Sequence, residues 1–118
     1  MAESYHTGGC HCGQVRYDVT LDLGNVVTCN CSICTKHGFI WSFVPADRFR
    51  LKSGADMTSD YQFNKHVIHH LFCKECGTES FARGTAPDGN ETVAVNVRCL
   101  DKIDIAALKP AMIDGRSR

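Results

Sequence analysis

Three thiols fall within six residues in Cys29-Asn30-Cys31-Ser32-Ile33-Cys34, close enough to grip one metal ion yet one ligand short of a tetrahedral site. The difference is chemical: zinc held by four protein ligands is a structural staple, whereas zinc held by three keeps a position for water or substrate. Two further pairs supply sulfur, Cys10-His11-Cys12-Gly13 and Cys73-Lys74-Glu75-Cys76-Gly77. The second is a C-x-x-C-G knuckle, in which Gly77 permits the positive φ that turns backbone amides toward the sulfurs. In an extended segment Cys10 and Cys12 share one face and His11 takes the other, so His11 reads as a surface or packing residue.

Eight cysteines in 118 residues would suit a disulfide framework only in an oxidising compartment. The N-terminus Met1-Ala2-Glu3-Ser4-Tyr5-His6 carries no secretion signal, and no apolar run approaches the roughly 20 residues of a membrane span. A cytoplasmic location with reduced thiols is therefore the expectation, and metal is preferred to disulfides. Joining Cys10 and Cys12 to Cys73 and Cys76 makes a four-sulfur staple that closes a long loop. Cys29, Cys31 and Cys34 then remain as a three-thiolate site of the catalytic type. Spacing leaves competitors: a ribbon of Cys31, Cys34, Cys73 and Cys76, spanning 38 intervening residues and orphaning Cys10, Cys12 and Cys29, or His37 as a fourth ligand closing the second site. Cys99 reads as a small buried hydrophobe, with activation by Arg98 as the functional alternative.

The elements that must position these thiols are short strands. Val15, Tyr17, Val19, Leu21 and Leu23 alternate with polar residues, and Val93, Val95, Val97 and Cys99 fall on one face with Thr92, Ala94, Asn96 and Arg98 on the other. Gly24-Asn25 turns the chain into a strand at Val26-Val27-Thr28, which ends in the three-cysteine stretch. Phe39 to Val44 reads as a strand buried on both faces, with Phe39 and Trp41 assigned to core packing and a pocket wall as the alternative. Phe49 to Gly54 and Thr58 to Phe63 suggest a hairpin or meander turning at Gly54. Val67 to Phe72, interleaved with His66, His69 and His70, leads to the second knuckle. Glu79 to Arg83 is a further strand, Thr85 to Asn90 a loop, and Asp104 to Leu108 one helical turn stopped by Pro110. The sum, residues 1–118, is a single mostly β domain. Its net charge is zero, with no basic stripe, which argues against nucleic acid or membrane as partner.

Three blocks, Gly9-Cys10-His11-Cys12-Gly13-Gln14-Val15-Arg16-Tyr17, Cys29 to Cys34 and Phe72-Cys73-Lys74-Glu75-Cys76-Gly77, resemble the glutathione-dependent formaldehyde-activating enzyme family, which includes centromere protein V. Val95-Asn96-Val97-Arg98-Cys99-Leu100-Asp101 resembles the family's C-terminal strand. The resemblance implies a zinc-stapled β-tent of antiparallel sheets and Zn2+ at two sites per chain. One would be structural, on Cys10, Cys12, Cys73 and Cys76; the other would be held by Cys29, Cys31 and Cys34. It further implies an activity joining glutathione to formaldehyde as S-hydroxymethylglutathione, a carbon-sulfur lyase reaction run in reverse, with a small thiol and aldehyde as substrates. The family often has His between the first two cysteines of the second site and a basic residue after the third; this chain has Asn30 and Thr35, with Lys36 next in line to hold an anionic thiol. Two rivals are a non-catalytic zinc-stapled binding or scaffold module, and a methionine sulfoxide reductase-like enzyme using Cys99.

Overall fold

Two sheets carry the fold in the computed structural model, which describes residues 3–63 and 68–117. With strands numbered along the chain, β1 (Ser4–Gly9), β2 (Arg16–Leu21) and β5 (Phe49–Ser53) form an antiparallel sheet in the order β1-β2-β5. The other sheet takes β3 (Val27–Cys29), β4 (Trp41–Pro45), β6 (Thr58–Tyr61), β7 (His69–Cys73), β8 (Phe81–Thr85), β9 (Glu91–Asn96) and β10 (Ala111–Ile113), in the order β10-β3-β4-β9-β8-β7-β6. The expected mostly β architecture is present, and every pairing is antiparallel except β10 with β3. The start expected at Val67 for β7, with His66, lies outside the described residues.

Alternation explains where the core sits. Tyr17, Val19 and Leu21 of β2 and Val93 and Val95 of β9 are buried between the sheets. There the rings of Tyr17, Phe49 and Phe81 meet with centroids 4.9 to 5.9 Å apart. The opposite face of the large sheet supports a second cluster of Cys34, Phe39, Trp41 and Ala82, packed under the one α-helix among the described residues, α1 (Ser32–His37). Burying each large apolar side chain contributes about 1.5–3 kcal/mol, so both faces of the sheet near α1 are held by packing. The radius of gyration, 13.4 Å, is close to the roughly 13.5 Å expected of a compact chain of this length.

Several expectations change. Gly24-Asn25 does not close a hairpin: β2 and β3 lie in different sheets. Gly54, at φ +89°, likewise passes the chain from β5 in one sheet to β6 in the other. A side chain at Gly54 would strike the Gln14 carbonyl oxygen, 2.4 Å from an ideal Cβ, so glycine alone allows that crossing. Phe39 to Ser42 are buried, but Phe43 is 50% exposed, so the run is not buried on both faces throughout. Strand β9 stops at Asn96, whose side-chain oxygen accepts the Arg98 amide at 3.2 Å. That capping turns Val97–Cys99 into a short 3-10 turn, and Cys99 therefore leaves the strand face.

Candidate metal centres and the adjoining cavity

Each cysteine group sits where backbone turning, rather than strand alternation, brings its sulfurs together. Cys10 and Cys12 lie in the turn joining β1 to β2, closed by the Gly13 amide on the Cys10 carbonyl at 3.2 Å. Cys73 and Cys76 lie in the turn joining β7 to β8, closed by the Gly77 amide on the Cys73 carbonyl at 2.9 Å. Both turns need the positive φ of a glycine, +85° at Gly13 and +78° at Gly77. The extended geometry expected for Cys10 to Cys12 is thus replaced by a turn, while His11 is exposed as expected.

The two turns come from different sheets and meet. The sulfurs of Cys10, Cys12, Cys73 and Cys76 all lie within 4.8 Å of one another, with Cys12 3.6 Å from both Cys10 and Cys73. A tetrahedral zinc with Zn–S bonds of about 2.3 Å has sulfur–sulfur edges of about 3.8 Å, so the donor set fits that ion, and no disulfide joins any of the cysteines. The cluster also receives hydrogen bonds: the Val15 amide donates to Cys10 Sγ at 3.3 Å. The Thr78 hydroxyl beside Cys76, 3.5 Å away, brings that thiol down to about 5, whereas Cys12 is pushed up to about 11, the Gln14 amide lowering it and burial and the neighbouring thiols raising it; four such sulfurs ionise together only with a cation among them.

The second group spans the end of β3 and the start of α1. Cys29 closes β3, Cys31 is the residue capping α1, and Cys34 lies buried inside the helix, whose Gly38 cap turns at φ +70°. Their sulfurs also lie within 4.8 Å of one another. Burial pushes the Cys34 thiol up to about 12; the Trp41 indole N–H, 3.3 Å from its sulfur, opposes this, and neighbouring Cys31 and Cys29 push it further. Three crowded thiols resist ionising together unless a cation joins them, and that chemistry again fits a thiophilic ion. The competing ribbon of Cys31, Cys34, Cys73 and Cys76 is not assembled. His37 does not close the group: its ring stacks on Phe39 with centroids 4.7 Å apart, and among the described residues no histidine joins the three sulfurs.

Sequence reasoning missed the C-terminal cover of this group. The Asn30 amide donates to the Ile113 carbonyl at 3.2 Å, its side chain donates to Asp114 Oδ1 at 3.0 Å, and its oxygen accepts the Arg116 amide at 2.9 Å. These bonds lay Gly115 against Cys29, where an ideal Cβ would stand 2.4 Å from the sulfur. No local signal in the sequence announces that approach.

Beside α1 opens a cavity of about 530 Å³. One wall is the helix, through Ile33, Lys36 and His37; the other is aromatic, formed by Tyr61, Phe63 and Phe72. Lys36 brings a positive charge to the cavity lining. Phe39 and Trp41, each 3% exposed, are core residues rather than cavity walls.

A family model described as glutathione-dependent formaldehyde-activating enzyme matches residues 5–114, nearly the whole chain. The chain belongs to the glutathione-dependent formaldehyde-activating enzyme family. A crystal structure of a Rhodobacter sphaeroides protein, a structural genomics target, is similar over 90% of this chain and 97% of its own, with a TM-score of 0.79 and 29% identity. Cys99 lacks the neighbour that would activate it as a nucleophile. Burial pushes its thiol up to about 11, with Cys10, Cys76 and Glu79 adding to the rise. Arg98, which would have activated it, instead donates Nε–H to the Gly38 carbonyl at 3.0 Å.

Proposed function

We propose that this chain is a zinc-dependent enzyme of the carbon-sulfur lyase type, adding a thiol, glutathione or a similar one, to formaldehyde or another small aldehyde. One observation carries the reading: three sulfurs, Cys29, Cys31 and Cys34, converge without a fourth protein ligand among the described residues, and Ser32 and Ile33, between the last two of them, line the cavity. Cys10, Cys12, Cys73 and Cys76 would hold one zinc as a staple between the sheets, and the three would hold a second. That second ion would supply Lewis acidity, favouring the thiolate form of a substrate thiol or polarising an aldehyde oxygen. The chain's own residues do the rest. The Trp41 indole N–H fixes the Cys34 sulfur, α1 sets the spacing of Cys31 and Cys34, and Lys36 supplies positive charge at the cavity for a carboxylate-bearing thiol. The proposed partners are small molecules rather than nucleic acid or membrane, given the neutral charge; among the described residues no helix is long and apolar enough to span a membrane. A cytoplasmic location, where eight free thiols stay reduced, belongs to the same reading.

The test combines metal content with exchange NMR of formaldehyde, glutathione and their adduct. Two zincs per chain and accelerated exchange are expected. Cys31→Ser should abolish the acceleration while the fold and the first metal persist. Cys73→Ser should instead strip the first site and unfold the chain, since Cys73 is 1% exposed and its partners would lose their ion. Turnover that survives Cys31→Ser sinks the proposal.

A further inference from the structure

The described molecule holds a buried ionisable pair that neither metal group uses. His70 Nδ1 lies 2.7 Å from Glu79 Oε2, with the two side chains only 5% and 2% exposed. Their surroundings are aromatic: the His70 ring stacks against Phe63 at 5.7 Å and Phe39 at 6.5 Å between centroids. An apolar pair would pack there at no desolvation cost, and replacing buried ion pairs by hydrophobic residues is often neutral or stabilising. Stability alone therefore does not account for the pair.

Glu79 is one of the residues lining the cavity beside α1. His70 engages only Oε2; Oε1 accepts no hydrogen bond among the described residues. No fully buried side-chain oxygen among them lacks a partner, so Oε1 keeps some exposure, and the cavity is the space that Glu79 lines. The same space is lined by Ser32, Ile33, Lys36 and His37 of α1, the helix that carries Cys34 and is capped by Cys31.

We propose that Glu79 is the proton-transfer residue of the thiol–aldehyde reaction and His70 the residue that positions it; the assignment rests on the function proposed above. As the sulfur–carbon bond forms and the carbon–oxygen π bond breaks, Glu79 Oε1 takes the thiol proton and then returns it to the new oxygen, giving the hydroxyl of the adduct. Atoms and charge balance with no further reactant.

The assignment is tested with Glu79→Gln in the zinc-loaded protein, by exchange NMR of formaldehyde, glutathione and adduct. A loss of about 10²–10⁴-fold in kcat is expected, with KM within about threefold and two zincs retained. His70→Gln should lower kcat by about tenfold or more without moving KM, with kcat counted per folded chain holding two zincs, so that a loss of folded protein is excluded from the ratio. If Glu79→Gln does not fold, Glu79→Asp replaces it: the charge stays but the carboxylate withdraws by one methylene, and the same kcat loss is expected. A folded variant at Glu79 that keeps wild-type kcat overturns the assignment alone; a wild-type protein that accelerates nothing overturns both it and the underlying reading.

Discussion

Gly115 shows how much of the second metal group depends on a single small residue. An ideal Cβ there would lie 2.4 Å from Cys29 Sγ and 3.2 Å from Cys31 Cβ, well inside contact distance, so the sulfur or the segment must move. Overpacking of this kind costs about 1–3 kcal/mol, equivalent to roughly 5- to 150-fold in affinity. Gly115→Ala should therefore weaken zinc at the second site by about tenfold or more and leave the first site intact. Competition with a chromophoric chelator would read both affinities, and cobalt substitution would report any change in the sulfur geometry. Unchanged affinity at both sites would show that the contact does not hold Cys29. The cysteines themselves were legible because ligand type and spacing are local properties. Gly115, and the Trp41 indole that donates to Cys34, were not, because their roles arise only when distant segments meet.

The same limit governs the elements. β2 and β9 could be read directly, since a half-buried strand writes its two faces into the sequence. β1 could not: Ser4-Tyr5-His6-Thr7-Gly8-Gly9 is an edge strand with its first two residues exposed, and an edge need not alternate. α1 was also hidden. Its six residues include β-branched Ile33 and Thr35, and no side chain caps its start, so packing of Cys34 against Phe39 and Trp41, rather than propensity, must hold it. β10 is three residues long and pairs in parallel with β3, a long-range contact with no pattern behind it. Asn30 is what latches this segment, through its bonds to Asp114 and Arg116. Exposed hydrogen bonds contribute about 0.5–1.5 kcal/mol each, so Asn30→Ala should raise local opening of the tail by roughly ten- to a hundredfold while global stability barely changes. Hydrogen exchange at the Arg116 amide would report it. Protection equal to wild type would mean that β10 holds the tail without Asn30.

At the scale of the molecule, the two cysteine groups differ in what they connect. The four-sulfur group joins a turn of the three-stranded sheet to a turn of the seven-stranded sheet, with Cys12 and Cys73 separated by 61 positions. Closing a loop of that length by a cross-link is worth about 4 kcal/mol of unfolded-state entropy, comparable to much of the stability of a small domain. The three-sulfur group joins the end of one strand to the helix that follows it, so it spans almost no loop and ties no sheet to another. Stepwise chelation should separate the two. One equivalent of zinc, from the group with fewer ligands, should leave first, taking the activity and leaving NMR dispersion in place; the second should leave only with cooperative unfolding. Acid should reproduce the order, because protons compete for every ligating sulfur and the three-ligand site has less binding energy to lose. Simultaneous release of both metals, with the fold lost at the first equivalent, would mean that the second group is also a staple, and the division of labour between the clusters would have to be redrawn.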